Sequence, residues 1–292
     1  MNNVTDILIE NGKAGILINK KENNDWIPAF AGMTKQANGI SSSFHSPQLI
    51  TINNLKKSFG KNLVLKGIDL ELTGGMVVAI MGPNGSGKTT LLKSVLGLVK
   101  PDSGEIYVKD IHVNGNSEYR RHIGYMPQNS CFPENLRVKE VIAMLKDVWG
   151  KPKGEAYKAY DEELIEKLNI GEFQNKQIGT LSGGTKQRVS SAAAFLFNQE
   201  IIILDEPTAG LDPVAAEIVK QKITDEKNKG KLVIITSHVI SEVEELADRV
   251  IFLLEGNIHV DSKVGELISQ TGELSLNKAI AKIMTDHESG SK

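Results

Sequence analysis

The stretch Gly82-Pro83-Asn84-Gly85-Ser86-Gly87-Lys88-Thr89 restricts the folds open to this chain more than any other. It fits G-x-x-x-x-G-K-[ST] at every position, and its glycines let the backbone turn so that successive N–H groups point at one anion. Such a loop needs a buried strand before it and a helix after it. Both flanks comply. Met76-Val77-Val78-Ala79-Ile80-Met81 is a continuous apolar run of strand length, and Leu91, Leu92, Val95 and Leu96 recur at helical spacing before Gly97. The helix is expected to begin near Lys88, so that its positive N-terminal end faces the same anion. Lys88 would then neutralise the β- and γ-phosphates of a nucleoside triphosphate such as ATP. The Thr89 hydroxyl would hold Mg²⁺, with Thr90 beside it at the phosphates.

Apolar runs of the same kind recur at Ile201–Leu204, Leu232–Ile235 and Val250–Leu254, with helical patterns between them. Strands alternating with helices imply an α/β fold with a largely parallel sheet. Leu49–Ile52 and Leu63–Leu72 read as further strands. Asp212-Pro213 supplies an N-cap and an N1 proline for one helix, and Gly230 follows its end. Ser241-x-x-Glu244 reads as a capping box for the next. The segment from about Gln128 to Phe197 has helical patterns and no buried strand run, so it reads as a helical insertion. Residues 1–47 are rich in Asn, Ser and Gly without sustained periodicity, and read as a poorly ordered extension. Within them, Asp25–Thr34 resembles peptides translated from repeat elements scattered through some bacterial genomes, which would make it an insertion or the product of a misplaced start codon. The chain thus divides into 1–47, 48–262 (helical part about 128–197) and a short helical tail, 263–292.

Composition narrows the function. At 40% hydrophobic the 292 residues can bury a full core, which argues against wholesale disorder. A net charge of -2 gives no electrostatic footprint for nucleic acid. The single cysteine, Cys131, excludes a disulfide framework, and no apolar segment approaches the roughly 20 residues a membrane span needs. His45, His112, His122, His259 and His287 show no metal-ligand spacing. Lys227, Lys229 and Lys231 read as a solvated helix end, and Leu274, Ala279, Ile280 and Ile283 as an amphipathic stripe that packs on the domain.

The second half of the site is Ile201-Ile202-Ile203-Leu204-Asp205-Glu206. Asp205, at the strand's C-terminal end, can reach Mg²⁺, and Glu206 is free to act on an attacking water as general base. Farther upstream, Leu181-Ser182-Gly183-Gly184-Thr185-Lys186-Gln187-Arg188 resembles the signature of ABC-type ATPases. Other elements resemble that family's in its order: Phe59 at the aromatic position that stacks on adenine, Gln128 at the Q-loop, Ala209-Gly210-Leu211-Asp212 at the D-loop and His238 at the switch histidine. Thr185 stands where the family usually has glutamine and Phe59 where tyrosine is commoner; the phosphate contacts and the stacking survive both.

The resemblance covers about Leu49 to Val260. It implies a P-loop NTPase with a RecA-like, mostly parallel sheet core, a small antiparallel β subdomain and a helical subdomain. Ser182 caps a helix whose bare Gly183 and Gly184 N–H groups form a second anion site. In the family, two cassettes face head to tail and each signature covers the γ-phosphate held by the other's phosphate loop. The resemblance therefore implies a homodimer or paired cassette around two ATP. It also implies a separate membrane permease, with the chain on the cytoplasmic face of the membrane and Cys131 to Val138 as a docking strip. The other class weighed, a soluble ABC ATPase of translation or DNA repair, usually has two cassettes or a long coiled coil between Q-loop and signature, and this chain has neither. Met126-Pro127-Gln128, Pro133–Val138, Leu181–Gln187 and Leu276–Lys282 also resemble the cassettes that serve copper-site maturation of nitrous-oxide reductase, although related export cassettes share much of this.

Overall fold

The computed structural model describes residues 48–113, 115, 117–150 and 160–283 with their side chains, and 5–10, 13–18, 26–28 and 284–290 as backbone. The chain divides into two units, Met1–His45 and Ser46–Lys292. In the first, β1 (Thr5–Glu10), β2 (Lys13–Ile18) and β3 (Trp26–Pro28) form an antiparallel sheet in that order. β1 pairs with β2 from Thr5↔Ile18 to Glu10↔Lys13. The sequence between them is Asn-Gly, the pair best suited to a two-residue hairpin turn. These strands were not expected from a stretch so rich in turn residues; the rest of 1–47 lies outside the described residues.

The second unit opens with the hairpin β4 (Gln48–Phe59) and β5 (Asn62–Thr73), then β6 (Met76–Met81) and α1 (Lys88–Val95). β7 (Ser103–Val108), β8 (Ile111–His112) and β9 (Ile123–Met126) follow. Next come α2 (Val138–Trp149), α3 (Glu163–Lys167) and α4 (Gly183–Phe195), with no strand described among them. β10 (Ile201–Asp205), α5 (Pro213–Asn228), β11 (Leu232–Thr236), α6 (Ile240–Leu246), β12 (Arg249–Leu254) and β13 (Asn257–Lys263) then alternate. α7 (Val264–Thr271) and α8 (Leu276–Gly290) close the chain.

Two sheets result. β5-β4-β7-β8 is antiparallel, and β13-β12-β6-β11-β10-β9 is parallel except for its edge strand β13. Within the parallel sheet, alternate side chains point to opposite faces. Val77, Ala79, Ile202, Leu204, Val233 and Ile235 pack with α4 to α8 on one side. Val78, Ile80, Ile201, Ile203, Leu232 and Ile234 pack with α1 and the antiparallel sheet on the other. Burial on both faces is why these strands read as unbroken apolar runs. The register sets Ile80 beside Thr236 and Thr236 beside Asp205, so the loops after β6, β11 and β10 leave one edge of the sheet as neighbours. Ligands of open α/β sheets bind at that carboxyl edge.

Three local expectations need correction. α6 begins at Ile240, and the Ser237 hydroxyl accepts the Val239 N–H at 3.0 Å, so Ser241 is inside the helix and not its cap. Glu244, freed from that role, accepts the Leu276 N–H at the start of α8. In the tail, Leu276 and not Leu274 joins Ala279 and Ile280 in the core; Leu274 is 88% exposed, just ahead of the helix. Lys231 is buried, not solvated, and it and Lys229 bind the buried carboxylate of Glu226.

Candidate functional site

The phosphate loop is held by its own backbone. A Cβ on Gly82 would lie 2.1 Å from the Leu253 carbonyl oxygen, so only glycine lets β6 end against β12. Gly87, left-handed at φ 107, caps α1, and Lys88 is the first residue of that helix. Its ammonium donates to the carbonyls of Gly82 at 2.7 Å and Pro83 at 3.0 Å. Burial lowers the Lys88 pKa, and the Glu206 and Asp205 charges offset part of that shift. The Ser86 hydroxyl is buried in the same loop without a partner. A half-buried cation and an orphaned hydroxyl in a ring of amides suit an incoming anion.

Opposite the loop stand two carboxylates. Asp205 ends β10, and the Thr236 hydroxyl donates to it at 2.5 Å. The Glu206 N–H donates to the Thr236 carbonyl at 3.2 Å and hydroxyl at 3.1 Å, so one threonine on β11 fixes both acids. His238 Nε2 lies 3.0 Å from Glu206 Oε1. Burial raises the Glu206 pKa; Asp205 and Glu242 add to the rise, and His238 and Lys88 oppose it.

These groups share a cleft of about 350 Å³. Asn84, Gly85, Gly87, Lys88, Thr89 and Thr90 line one wall. Gln128, Asp205, Glu206 and His238 line the other, and Asn62 and Val64 of β5 complete the lining. All four residues expected to act on phosphate (Lys88, Gln128, Glu206, His238) therefore meet here. So do Thr89, Gln128 and Asp205, whose hydroxyl, amide and carboxylate oxygens are the donors Mg²⁺ prefers. Among the described residues no group of three His, Cys, Asp or Glu could hold a metal. That sparse donor set suits an ion that keeps its waters and shares phosphate oxygens.

Other expected residues lie outside this cleft. Gly82, Pro83 and Ser86 form the loop but not the cleft wall. Phe59 ends β4, 52% exposed, directly opposite Asn62 in the ladder, with Lys57 Nζ 5.3 Å from its ring centroid. Ser182 caps α4 by accepting the Thr185 N–H at 3.3 Å, and Ser182 and Gly183 are exposed. A Cβ on Gly184 would come 2.6 Å from the Gly210 carbonyl oxygen, which keeps the signature against the D-loop. Asp212 spends one oxygen capping α5 at Val214 and Ala215, and the other on Arg188. The backbone donors of that cap, then Arg188, hold its carboxyl below the usual range. Sequence reading missed Thr236, Glu242 and Arg188. Glu242 accepts from Thr208 at 2.7 Å and Ser237 at 3.3 Å, clamping the turns after β10 and β11.

A family described as ABC transporter matches residues 65–209. The chain is 38% identical over 220 residues to the L-cystine transport system ATP-binding protein TcyN of Escherichia coli, covering 72% of this chain and 88% of that protein. It is 36% identical over 217 residues to the lipopolysaccharide export system ATP-binding protein LptB of Haemophilus influenzae, with the same coverage of 72% and 88%. It is 33% identical over 241 residues to the arginine transport ATP-binding protein ArtM of Bacillus subtilis, covering 81% of this chain and 100% of the relative. Among solved structures, an ATP binding subunit of an ABC transporter superposes with a TM-score of 0.75 at 25% identity, covering 81% of this chain and 99% of that one. A dimeric ATP-binding cassette in a post-hydrolysis state with ADP and Pi gives 0.64 at 30% identity, over 74% and 98%.

Proposed function

The chain belongs to the ATP-binding subunits of the ABC transporter family, and from that footing we propose that it hydrolyses ATP within a head-to-tail dimer and thereby drives a separate membrane permease. One observation carries the reading. The cleft unites phosphate loop, acid pair and histidine, while the Ser182-capped end of α4 stands outside its lining, with Ser182 and Gly183 exposed. A second cassette supplies what that end lacks.

In the proposed reaction the loop N–H groups and Lys88 bind the β- and γ-phosphates, restoring to Lys88 the charge stabilisation that burial removes. Phe59 stacks on the adenine. Thr89, Asp205 and Gln128 would hold Mg²⁺, which supplies charge neutralisation at the phosphates when bound. Glu206 takes a proton from water as the water oxygen bonds the γ-phosphorus and the bond to the β-phosphate oxygen breaks, releasing ADP and phosphate. The raised Glu206 pKa makes it a better base than an ordinary carboxylate. His238 holds Glu206 and the γ-phosphate in line. Ser182, Gly183 and Gly184 close over the partner's γ-phosphate, and Asp212, tied to Arg188, keeps the D-loop beside them.

The permease would dock beside the Q-loop. Val138 is fully buried at the start of α2, so the docking strip narrows to its exposed members, including Cys131, Glu134 and Arg137. No helix among the described residues is long and apolar enough to cross a membrane, which fits a division of labour with a separate subunit. The relatives named above serve cystine, lipopolysaccharide and arginine systems, so the cargo is set outside the cassette. The test is Glu206→Gln: it should bind ATP, fail to hydrolyse it and accumulate as a dimer on a sizing column. A variant that stays monomeric with ATP, or turns over normally, overturns the reading.

A further inference from the structure

Glu206 has φ 56, a left-handed conformation that a residue with a Cβ seldom adopts unless its surroundings enforce it. The enforcing bonds lie on both sides of the residue. Its N–H is held by Thr236, as described. Its carbonyl accepts the Ala209 N–H at 3.2 Å and, from a different element, the Gln187 side-chain amide at 3.0 Å. Gln187 is only 6% exposed and lies on α4, the helix that Ser182 caps. The next residue, Arg188, pairs with Asp212 and donates to the Leu168 carbonyl at 3.3 Å. One rigid helix therefore grips, through adjacent residues, the peptide of the candidate base and the cap of α5.

We propose that Gln187 is a positioning residue for hydrolysis, and that through it the signature end of α4 controls the carboxylate of Glu206 in the same chain. The inference rests on the reading of Glu206 as general base. An amide is the side chain this contact needs: it donates to a carbonyl without bringing a charge next to an acid whose ionisation burial already opposes. Because α4 moves as one body, a displacement at Ser182 and Gly183 reaches the Glu206 peptide about one and a half turns away. The peptide in turn sets where Oε1 meets His238. Occupation of the partner's phosphate loop, sensed at the signature, is thereby communicated to this chain's own base. The two ATP sites of the dimer are coupled through the Gln187–Glu206 hydrogen bond.

The test uses the full chain, with Gln187→Met and Gln187→Glu measured beside Glu206→Gln. Methionine keeps the length and loses the donor; glutamate keeps the shape, and serves if methionine disturbs packing. Both should lower kcat by about tenfold or more, in line with the loss expected when a reacting group is misplaced by an ångström or less. KM for ATP and nucleotide affinity should stay within about twofold, since no group touching ATP is altered. Wild-type kcat in both variants, with Glu206→Gln inactive, overturns the inference and leaves the base assignment standing. A parallel loss of ATP affinity and turnover also overturns it, because it marks a merely structural role. Full turnover in Glu206→Gln removes the base assignment, and this inference with it.

Discussion

His238 Nε2 stands 3.0 Å from Glu206 Oε1 in the cleft, yet Glu206 is pushed above an ordinary carboxyl because burial, joined by the Asp205 and Glu242 charges, prevails over the histidine and Lys88. A folded-state pKa raised above the unfolded value favours the protonated form. It contributes stability below the unfolded pKa, and that contribution is lost as pH rises through the folded pKa. At neutral pH the ionised Glu206 therefore destabilises the nucleotide-free protein. Glu206→Gln should melt higher than wild type near pH 7.5, by about 2 °C, and the gap should close as pH falls toward 4.5. Scanning calorimetry across that range checks it; a constant gap would assign the effect to something other than titration. In wild type the acid limb of kcat should fall above pH 4.5, where the raised carboxyl takes up its proton.

Lys88→Met separates binding from folding. The ammonium is half-buried and, among the described residues, its hydrogen bonds go to two carbonyls of its own loop. Its lowered pKa means that the charged form is disfavoured by folding. Methionine should leave the melting temperature of the nucleotide-free chain unchanged or slightly higher. ATPase turnover should fall by about 100-fold or more, the scale of losing one donor aimed at developing charge. Measurable wild-type turnover in a well-folded Lys88→Met protein would remove the phosphate loop from the mechanism.

The parts of this site legible in the sequence are those fixed by neighbours along the chain. Gly82 to Thr89 must turn, the run before it must be buried, and Asp212-Pro213 must start a helix; each needs only a few adjacent residues. The parts that escaped depend on contacts across the fold. Thr236 gives no local sign that it will hold Asp205 and Glu206, because β11 meets β10 only in the sheet. Ser241 and Glu244 match a capping box perfectly, and the match fails because the Ser237 hydroxyl, accepting the Val239 N–H, already turns the chain into α6 one turn earlier. Gln187 stands inside the signature motif, but nothing along the chain shows that its amide reaches the Glu206 carbonyl, because α4 meets the turn after β10 only in the fold.

Removal of residues 1–45 should leave ATPase activity and ATP-dependent dimerisation intact. The loop, acids, histidine and signature all belong to the unit beginning at Ser46, and the family match begins at residue 65. The measurement is turnover per active site with and without the segment. A loss of activity beyond about twofold would give the first unit a part in the reaction.

Lys222 should prove the strongest single support of the region between Q-loop and signature. It is 2% exposed on α5, with its ammonium 2.6 Å from Asp161 and Glu163 and 3.1 Å from Glu226. Hydrogen bonds from Lys167 and Lys222 bring Glu163 down to about 2. Burial works against ionisation of Glu226, but the bonds from Lys229 and Lys231 prevail and its pKa is lowered too. Lys222→Met takes the buried cation from Asp161 and Glu163 and one of three lysines from Glu226, which keeps Lys229 and Lys231; removing one partner of a buried pair costs about 3–5 kcal/mol. The melting temperature should drop by roughly 10 °C at pH 7. Because the Glu163 and Glu226 carboxyls are depressed in the folded state, their stabilisation is present above pH 4.5 and is lost as pH falls toward 2. The difference between wild type and Lys222→Met should shrink over that window. Lys222→Met combined with Asp161→Asn should recover part of the loss, since Lys222 is the one ion-pair partner of Asp161 among the described residues and the amide removes the charge left behind. A double variant no more stable than the single one would show that Asp161 is not the carboxylate left uncompensated.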